Sequence, residues 1–282
     1  NRTVSDYCPI TSKCCYTDIV KDYEGIFVLD ADPKICSDLK ACNALIKIQD
    51  YTHSYPHCYR TDTPLIYRTI KSFFVKLEPL KDRMIELNRT INWHPAEIGS
   101  NRFGKWLEGA KDWCLTRLRY YGTPIPVWIT DDDAEDMIVI GSIDELCELA
   151  GLDRSSITNL HPEHLNPIKI VRNNKTYTRV PDIFDCWFES GAVPFGQIHY
   201  PFESTSLGSS EYLCDFICEG LDQTRGWFYT LLVLSTAILD RAPFKNVVCT
   251  GLVLDENGNK LSKKLNNFED PLSIIDEFGA DV

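Results

Sequence analysis

The sequence predicts an α/β protein with a parallel sheet in its C-terminal third. Three short runs, 183–188, 212–218 and 247–254, have the apolar, branched and aromatic content of buried strands. An apolar segment over 224–239 is long enough for a helix and lies between the last two runs. A strand, a helix and a second strand that are all apolar indicate a right-handed parallel unit. Ligands bind such sheets at the carboxyl ends of the strands.

Composition excludes several classes of protein. The chain has 282 residues, of which 44% are hydrophobic and 25% charged, unlike a disordered or collagenous chain. Its net charge of −12 limits any nucleic-acid contact to a local patch. The longest apolar run, 227–239, is shorter than the roughly 18 residues that a membrane-spanning helix needs. No membrane partner is therefore expected.

Local patterns predict the remaining elements. Strands are expected at 25–29, 45–51 and 65–77, and Asp32–Pro33 is expected to begin a helix that ends near Leu45. The pattern is helical over 79–118. There the apolar residues that recur every three or four positions are Phe103, Trp106, Leu107, Ala110, Trp113 and Cys114.

A small insertion is expected at 128–180. Within it, Ser142 and Glu145 form a capping box that predicts a helix to Ala150, which Gly151 ends. A turn is expected at 173–175, and another helix is expected to begin near Pro271.

The cysteine pattern does not indicate a zinc site. Twelve cysteines are irregularly spaced and none forms a C-x-x-C pair, so we expect reduced thiols in an intracellular protein. The group His53, His57 and Cys58 could hold a metal, but it has no second pair of ligands nearby. We therefore predict no metal site from the residues of this chain.

Three polar clusters are expected at strand ends. The first, 185–191, has two aromatic residues, an acid and a glycine, and simple aromatic packing is its alternative interpretation. The second, 219–227, contains Glu219, Asp222 and Arg225, and its carboxylates could bind an ammonium group or ribose hydroxyls. Helix capping by Asp222 and Gln223 is the alternative there.

The third cluster is a glycine-containing turn at 255–264 that carries three lysines and a serine. Lysine side chains suit phosphate oxygens, although a charged run is usually only a solvated surface. The spacing is not that of a Walker loop. Together the clusters indicate a pocket with apolar walls, an acid for an amine or a sugar, and cations for a polyphosphate. Such a pocket suits the adenylation of an amino acid.

Four ordered blocks resemble the class I aminoacyl-tRNA synthetases, and within them the isoleucyl-tRNA synthetases of the eukaryotic cytoplasmic type. Residues 260–264 (KLSKK) resemble the KMSKS loop, and 185–191 (DCWFESG) resemble the D-x-W-F-D/E-S-G segment. Residues 219–228 (EGLDQTRGWF) and 112–126 (DWCLTRLRYYGTPIP) resemble two further blocks, with Tyr121 in place of a tryptophan. The segments 53–60 and 63–67 resemble the place where the chain leaves the editing insertion.

The resemblance implies an internal fragment with a definite domain order. Residues 1–75 would be the tail of the editing insertion and the return to the catalytic core, and 76–127 a helical connective region. Residues 128–180 would be a small α+β connective insertion. Residues 181–282 would be the second half of a Rossmann-like parallel-sheet catalytic domain that carries the KLSKK loop.

The resemblance also implies an activity. The parent enzyme would activate isoleucine with ATP and Mg²⁺, transfer it to tRNA(Ile) and edit misactivated valine in an upstream part. It would be cytoplasmic and could join other synthetases in a multi-enzyme complex. The alternatives are a valyl or leucyl enzyme, or an inert folded fragment that only binds a ligand or tRNA. Lys105, Lys111, Arg117 and Arg119 could contact tRNA phosphates, or simply form a solvated helix face.

Roles for single residues follow from the matched motifs. Glu219 would bind the substrate amino group, while Gly220, Asp222 and Gln223 would line the ribose and adenylate site. Trp187 and Trp227 would wall the side-chain pocket. The backbone of Gly251, Leu252 and Val253 would contact the adenine of ATP. The loop residues Lys260, Ser262 and Lys263 would act on the phosphates, with the lysines stabilising the pyrophosphate as it leaves.

Two departures limit the resemblance. No H-I-G-H motif and no editing-site segment occurs in the chain. Where some relatives carry paired cysteines, this chain has Asp131–Asp133 and Arg172–Asn174, so the resemblance also implies no structural zinc.

Overall fold

The computed structural model describes residues 8–58, 61–130, 136–207, 212–261 and 267–281. The chain divides into two compact units, Asn1–Ser72 and Phe73–Val282. In the first unit, α1 (Asp32–Ala41) has Pro33 in its first turn, which confirms the predicted helix start. The helix ends four residues before the predicted Leu45.

The strands predicted in the first unit are wrong. Within 25–29 only one isolated bridge forms, between Cys15 and Phe27, and 45–51 has no strand. Alternation of apolar residues produces a strand only where a partner edge exists to accept its hydrogen bonds. Among the described residues no such edge lies beside Ile46 and Ile48, which are 100% and 62% exposed.

The second unit contains the regular structure that positions the site. Its strands are β1 (Phe74–Val75), β2 (Asn92–His94), β3 (Trp113–Cys114), β4 (Thr116–Arg117), β5 (Val127–Thr130), β6 (Met137–Val139), β7 (Lys169–Arg172), β8 (Lys175–Arg179), β9 (Ile183–Phe184), β10 (Tyr212–Gly220) and β11 (Ala242–Thr250). Its helices are α2 (Lys81–Asn88), α3 (Gly104–Glu108), α4 (Ile143–Ala150), α5 (Pro162–Leu165), α6 (Cys186–Gly191), α7 (Val193–Gly196), α8 (Trp227–Leu239) and α9 (Pro271–Phe278).

A parallel sheet is the framework of this unit. Its strand order is β10–β11–β2, and both pairs are parallel. Helix α8 connects β10 to β11 and packs on the sheet through a core that includes the fully buried Phe228, Leu232, Phe244 and Val247. The predicted strand–helix–strand unit is confirmed. Helix α9 also begins at the predicted Pro271, and Asp270 caps it by accepting a bond from the backbone N of Leu272 over 3.0 Å.

The prediction of continuous helix over 79–118 is wrong. Strand β2 interrupts the segment and becomes the third strand of the parallel sheet, because Asn92–His94 pair with Asn246, Val247 and Val248 of β11. Phe103 and Leu107 are fully buried as the apolar pattern predicted. Trp113 and Cys114 form β3 instead of continuing the helix.

A four-stranded antiparallel sheet of order β6–β5–β8–β7 packs against α4 around the buried Trp128, Ile170 and Tyr177. The predicted helix is confirmed, since Ser142 caps α4 and Gly151 ends it with a φ of +66°. The predicted turn is confirmed as well, since Asn173 and Asn174 both have positive φ between β7 and β8. The division of the chain at 75, 127 and 180 stays a prediction.

The strand predicted at 183–188 is largely wrong. Only β9 forms, and it pairs antiparallel with β4 rather than joining the parallel sheet. The side chain of Asp185 then caps α6, which begins at Cys186. The cluster at 185–191 therefore lies at the start of a helix, not at the carboxyl end of a strand of the parallel sheet. Among the described residues, every helix is too short or too polar to cross a membrane.

Candidate active site

The carboxyl edge of the parallel sheet places Glu219. Glu219 pairs with Cys249 of β11, and paired residues on neighbouring strands point to the same face of a sheet. Cys249 and Ile217 belong to the core that α8 covers. Glu219 therefore lies on the α8 face at the end of β10, where its side chain is exposed.

The turn between β10 and α8 is a 3₁₀ helix, Leu221–Arg225, that side chains hold in place. Thr224 is fully buried; its hydroxyl donates to the carbonyl of Leu221 over 2.9 Å and accepts from Nε of Arg102 over 3.1 Å. The Arg225 guanidinium lies 4.9 Å from the ring centre of Trp106. The sequence alone did not predict these anchors, because the partners lie more than a hundred residues apart.

Gln223 caps helix α8. Its Oε1 accepts a hydrogen bond from the backbone N of Trp227 over 3.0 Å, and its Nε2 donates to Oδ2 of Asp222 over 3.3 Å. Gln223 therefore caps the helix, as the alternative interpretation of this cluster predicted. The Asp222 side chain does not cap the helix and remains exposed.

Gly226 lets the indole of Trp187 approach the backbone at the start of α8. A Cβ atom at this position would lie 2.9 Å from Cη2 of Trp187, so only a glycine admits the ring so close to the backbone. The next residue, Trp227, donates from Nε1 to the carbonyl of Ser190 over 2.9 Å. Helix α6 and the start of α8 therefore meet, and Trp187 is 38% exposed.

A buried carboxylate fixes the start of α6. Asp185 is 3% exposed, and its Oδ2 accepts from Nε1 of Trp113 over 3.0 Å and from Nη2 of Arg117 over 2.8 Å. Its backbone N donates to the carbonyl of Leu115 over 2.7 Å. These bonds join the 112–126 block to the 185–191 block. Linear spacing gave no signal for this contact.

Lys260 lies on a hairpin that follows β11. Leu254 bridges to Lys260, and Oδ1 of Asp255 accepts from the backbone N atoms of Asn257 and Asn259 over 3.0 and 2.7 Å. Asn267 donates from Nδ2 to Oδ2 of Asp255 over 2.9 Å. These hydrogen bonds, that of Asn267 foremost, hold the pKa of the Asp255 carboxyl below its usual value. The Lys260 side chain is exposed, as phosphate binding would require.

The structure brings some of the predicted residues together and not others. Trp187, Asp222, Gln223 and Trp227 form one connected group around Gly226. Gly251, Leu252 and Val253 are exposed and directly follow β11, the strand that pairs with the Glu219-bearing β10. The loop residues Ser262 and Lys263 lie outside the described residues.

No group of three or more His, Cys, Asp or Glu side chains that could hold a metal ion occurs in the described part of the chain. Arg172–Asn174 lie at the β7–β8 hairpin, and Asp131–Asp133 are outside the described residues. The absence of structural zinc stays a prediction.

Burial perturbs two groups of the core beneath the site. It raises the pKa of the Cys249 thiol to about 11, with a smaller contribution from the nearby Cys218. Burial also raises the pKa of the Tyr229 hydroxyl to about 12. Both groups are neutral at pH 7 and add no charge at this edge.

A separate cavity of about 1140 Å³ lies between the four-stranded sheet and the α6–α7 segment. Residues that line it include Tyr121, Trp128, Ile140, His161, Glu189 and Phe202. It contains none of the predicted site residues, and the sequence alone did not predict it.

Comparison with known proteins assigns the family. Residues 13–282 match the model of the family described as tRNA synthetases class I (I, L, M and V). The chain is 47% identical over 275 residues to an isoleucine–tRNA ligase of Chlamydia abortus, covering 98% of this chain and 26% of the relative. It is 48% identical over 279 residues to that of Protochlamydia amoebophila, and 47% identical over 290 residues to that of Rickettsia akari. These cover 99% and 100% of this chain and 26% of each relative.

The chain thus spans about a quarter of the length of the curated relatives it matches. All three relatives are bacterial, so they do not support the eukaryotic cytoplasmic type. The family match covers the parallel sheet, both indole-bearing helices and the Lys260 hairpin. The chain belongs to the class I tRNA synthetases.

Proposed function

We propose that the chain is part of an isoleucine–tRNA ligase, whose parent enzyme forms isoleucyl-adenylate from isoleucine and ATP and transfers isoleucine to tRNA(Ile). One observation carries the proposal. In a chain 47% identical to isoleucine–tRNA ligases, Trp187 packs against Gly226 directly before Trp227, in the turn that follows the strand end bearing Glu219. The indoles would contact an apolar side chain, Glu219 would bind an ammonium group, and the edge of the sheet would bind a nucleotide.

The amino-acid part of the ligand would use the indoles and the acid. Glu219 is exposed and forms no ion pair with any described residue, so it is available for the substrate ammonium. The exposed face of Trp187 would contact the aliphatic side chain. Trp227 is held by Ser190, which keeps the wall of the pocket rigid.

The nucleotide part would lie along the carboxyl edge of the sheet. Gly220 and Asp222 would contact the ribose, with Gln223 holding Asp222 in place through its Nε2. The backbone of Gly251–Val253 would contact the adenine ring. The N-terminus of the 13-residue helix α8 faces this edge and favours a bound anion.

The reaction would be displacement at the α-phosphorus. An oxygen of the isoleucine carboxylate attacks that phosphorus, and pyrophosphate leaves with the electron pair of the broken P–O bond. Lys260, with Ser262 and Lys263 of the same loop, would stabilise the leaving charge. Mg²⁺ would accompany ATP, held chiefly by the phosphate oxygens. The protein contributes mainly position and preorganised charge.

The proposal also includes the expected contacts with tRNA, the location of the protein and its association with other synthetases. Of the four cations considered for tRNA phosphates, Arg117 is already paired with Asp185, which leaves the exposed Lys105, Lys111 and Arg119. A cytoplasmic location and membership of a multi-enzyme complex are part of the proposal too. The eukaryotic type stays a sequence-based prediction.

ATP–pyrophosphate exchange by the full-length protein tests the proposed function. We expect exchange that depends on isoleucine, with weaker exchange with valine. An apolar pocket separates two ligands that differ by one methylene only modestly, and isoleucyl-tRNA synthetase is the standard example of that limit. Exchange with valine or leucine but not with isoleucine would refute the specificity. No exchange with any of the three amino acids would refute the activity.

A further inference from the structure

Helix α6 lies against the start of α8 at a glycine that brings the two helices unusually close. A Cβ atom at the buried Gly191 would lie 3.0 Å from the carbonyl carbon, the carbonyl oxygen and the Cβ of Thr230. A Cβ atom in ordinary van der Waals contact lies 3.4–4 Å from its neighbours. A side chain at Gly191 would therefore push α6 and α8 apart by a few tenths of an ångström.

The core holds α8 more firmly than α6. Helix α8 packs on the parallel sheet through Phe228 and Leu232, which are fully buried. Thr230 is buried as well, and its hydroxyl donates to backbone carbonyls of the same helix over 3.3 Å. Helix α6 is only six residues long, and three of those residues are exposed. The displacement would therefore fall on α6.

The start of α6 is fixed, so its C-terminal end would take up the movement. Asp185, which caps the helix, is held by Nη2 of Arg117 over 2.8 Å. The other end of α6 carries the carbonyl of Ser190, which accepts from Nε1 of Trp227 over 2.9 Å. A side chain at Gly191 would draw that carbonyl away from the indole. The Trp227 ring would then lose the bond that fixes its orientation.

Gly226 has a similar role at the other indole. A Cβ atom there would lie 2.9 Å from Cη2 of the Trp187 ring and 2.7 Å from Oε1 of Gln223. That Oε1 is held by the bond it accepts from the backbone N of Trp227, whereas the Trp187 ring is 38% exposed. A side chain at Gly226 would therefore push the Trp187 ring out of its position.

We propose that Gly191 and Gly226 determine amino-acid specificity, because they fix the two indoles that would wall the side-chain pocket. The inference rests on the proposed function. Isoleucine exceeds valine by one methylene, which gives an advantage of about 10–200-fold in an apolar pocket, and isoleucyl-tRNA synthetase is itself the standard example of that limit. Dispersion contacts lose about a quarter to a half of their energy when a gap of about 0.5–1 Å opens. A displaced indole therefore reduces the advantage of isoleucine.

ATP–pyrophosphate exchange by the full-length Gly191→Ala variant, with isoleucine and with valine, tests the proposal. Losing about a quarter to a half of a roughly hundredfold advantage, counted as free energy, lowers the ratio of the two kcat/KM values about three- to tenfold. Gly196→Ala is the matched control, because a Cβ atom at Gly196 in α7 would meet nothing within 4 Å. It should leave the ratio unchanged. A variant that is only less stable loses exchange with both amino acids in proportion, so the ratio separates specificity from folding.

Gly226→Ala is the second variant, and it carries the test if Gly191→Ala does not fold. It should lower the ratio as well. Because Gly191 acts through Trp227, Gly191→Ala should change the ratio little further once Trp227→Phe has removed the bond to Ser190. An unchanged ratio in the folded glycine variants, or an undiminished effect of Gly191→Ala beside Trp227→Phe, would overturn this inference alone. Absence of isoleucine-dependent exchange in the unchanged protein would instead reject the proposed function, and this inference with it.

Discussion

Trp227 donates from its indole Nε1 to the backbone carbonyl of Ser190 over 2.9 Å. This bond joins the first residue of α8 to the last turn of α6, two segments that are 37 positions apart in sequence. A Cβ at Gly191, the next residue, would lie 3.0 Å from the backbone of Thr230 in α8, a tighter contact than most Cβ atoms make. The two helices therefore pack closely, and the bond fixes the orientation of the Trp227 indole.

Trp227→Phe should destabilise the protein by about 1–2 kcal/mol, because it removes this hydrogen bond and some buried ring area. Urea unfolding followed by circular dichroism measures the change. Trp106→Phe is the comparison: Nε1 of Trp106 is buried and bonds to nothing among the described residues, so this variant loses ring area and part of its contact with Arg225 but no hydrogen bond. If both variants lose the same free energy of unfolding, the bond to Ser190 contributes nothing.

Asp185→Asn should cost about 2 kcal/mol of the free energy of unfolding. The variant removes the carboxylate partner of Arg117, whose Nη1 still donates to two backbone carbonyls. Removing one member of a buried ion pair is costly, although the 38% exposure of Arg117 reduces the penalty. Asp240→Asn breaks the exposed pair with Arg83 and should cost under about 1 kcal/mol. Equal losses in the two variants would show that Asp185 does not anchor α6.

The buried Cys249 thiol should make the protein less stable at high pH. Its pKa is about 11 in the folded chain against a usual 9.0, so the unfolded chain loses the proton first. The stabilisation is complete below pH 9 and is lost as pH rises toward 11. Cys249→Ala should make this decline in the free energy of unfolding shallower, whereas substitution of the exposed Cys42 should not. A decline that is equally steep in both variants would contradict this origin.

The sequence predicted the parts of the fold that depend on local composition. The apolar runs of β10 and β11 and the segment of α8 are buried whatever surrounds them, so pattern alone identified them. Strand β2 was missed because Asn92–His94 is only three residues long, and its pairing with β11 is a contact across 154 positions. Strand 45–51 was predicted wrongly because alternation does not reveal whether a partner edge exists.

In the candidate site, too, the sequence predicted the local features and missed the contacts between distant residues. Its motifs located Trp187, Glu219, Asp222, Gln223 and Trp227, because these residues lie close together in short blocks. The residues that hold them, Asp185 with Arg117 and Thr224 with Arg102, pair across 68 and 122 positions. A single sequence carries no signal for such pairs. The sequence left open whether Asp222 and Gln223 cap α8, and the folded chain shows that Gln223 does.

Calorimetric titration of the full-length protein with a non-hydrolysable isoleucyl-adenylate analogue tests the central proposal most directly. The unchanged protein and Glu219→Gln are each titrated with the analogue and with a second analogue that lacks the amino group. We predict that Glu219→Gln weakens binding of the first analogue at least about tenfold, the loss of a hydrogen bond to a charged group, and leaves binding of the second unchanged. Equal affinity of both proteins for the amino-bearing analogue would contradict the proposed role of Glu219.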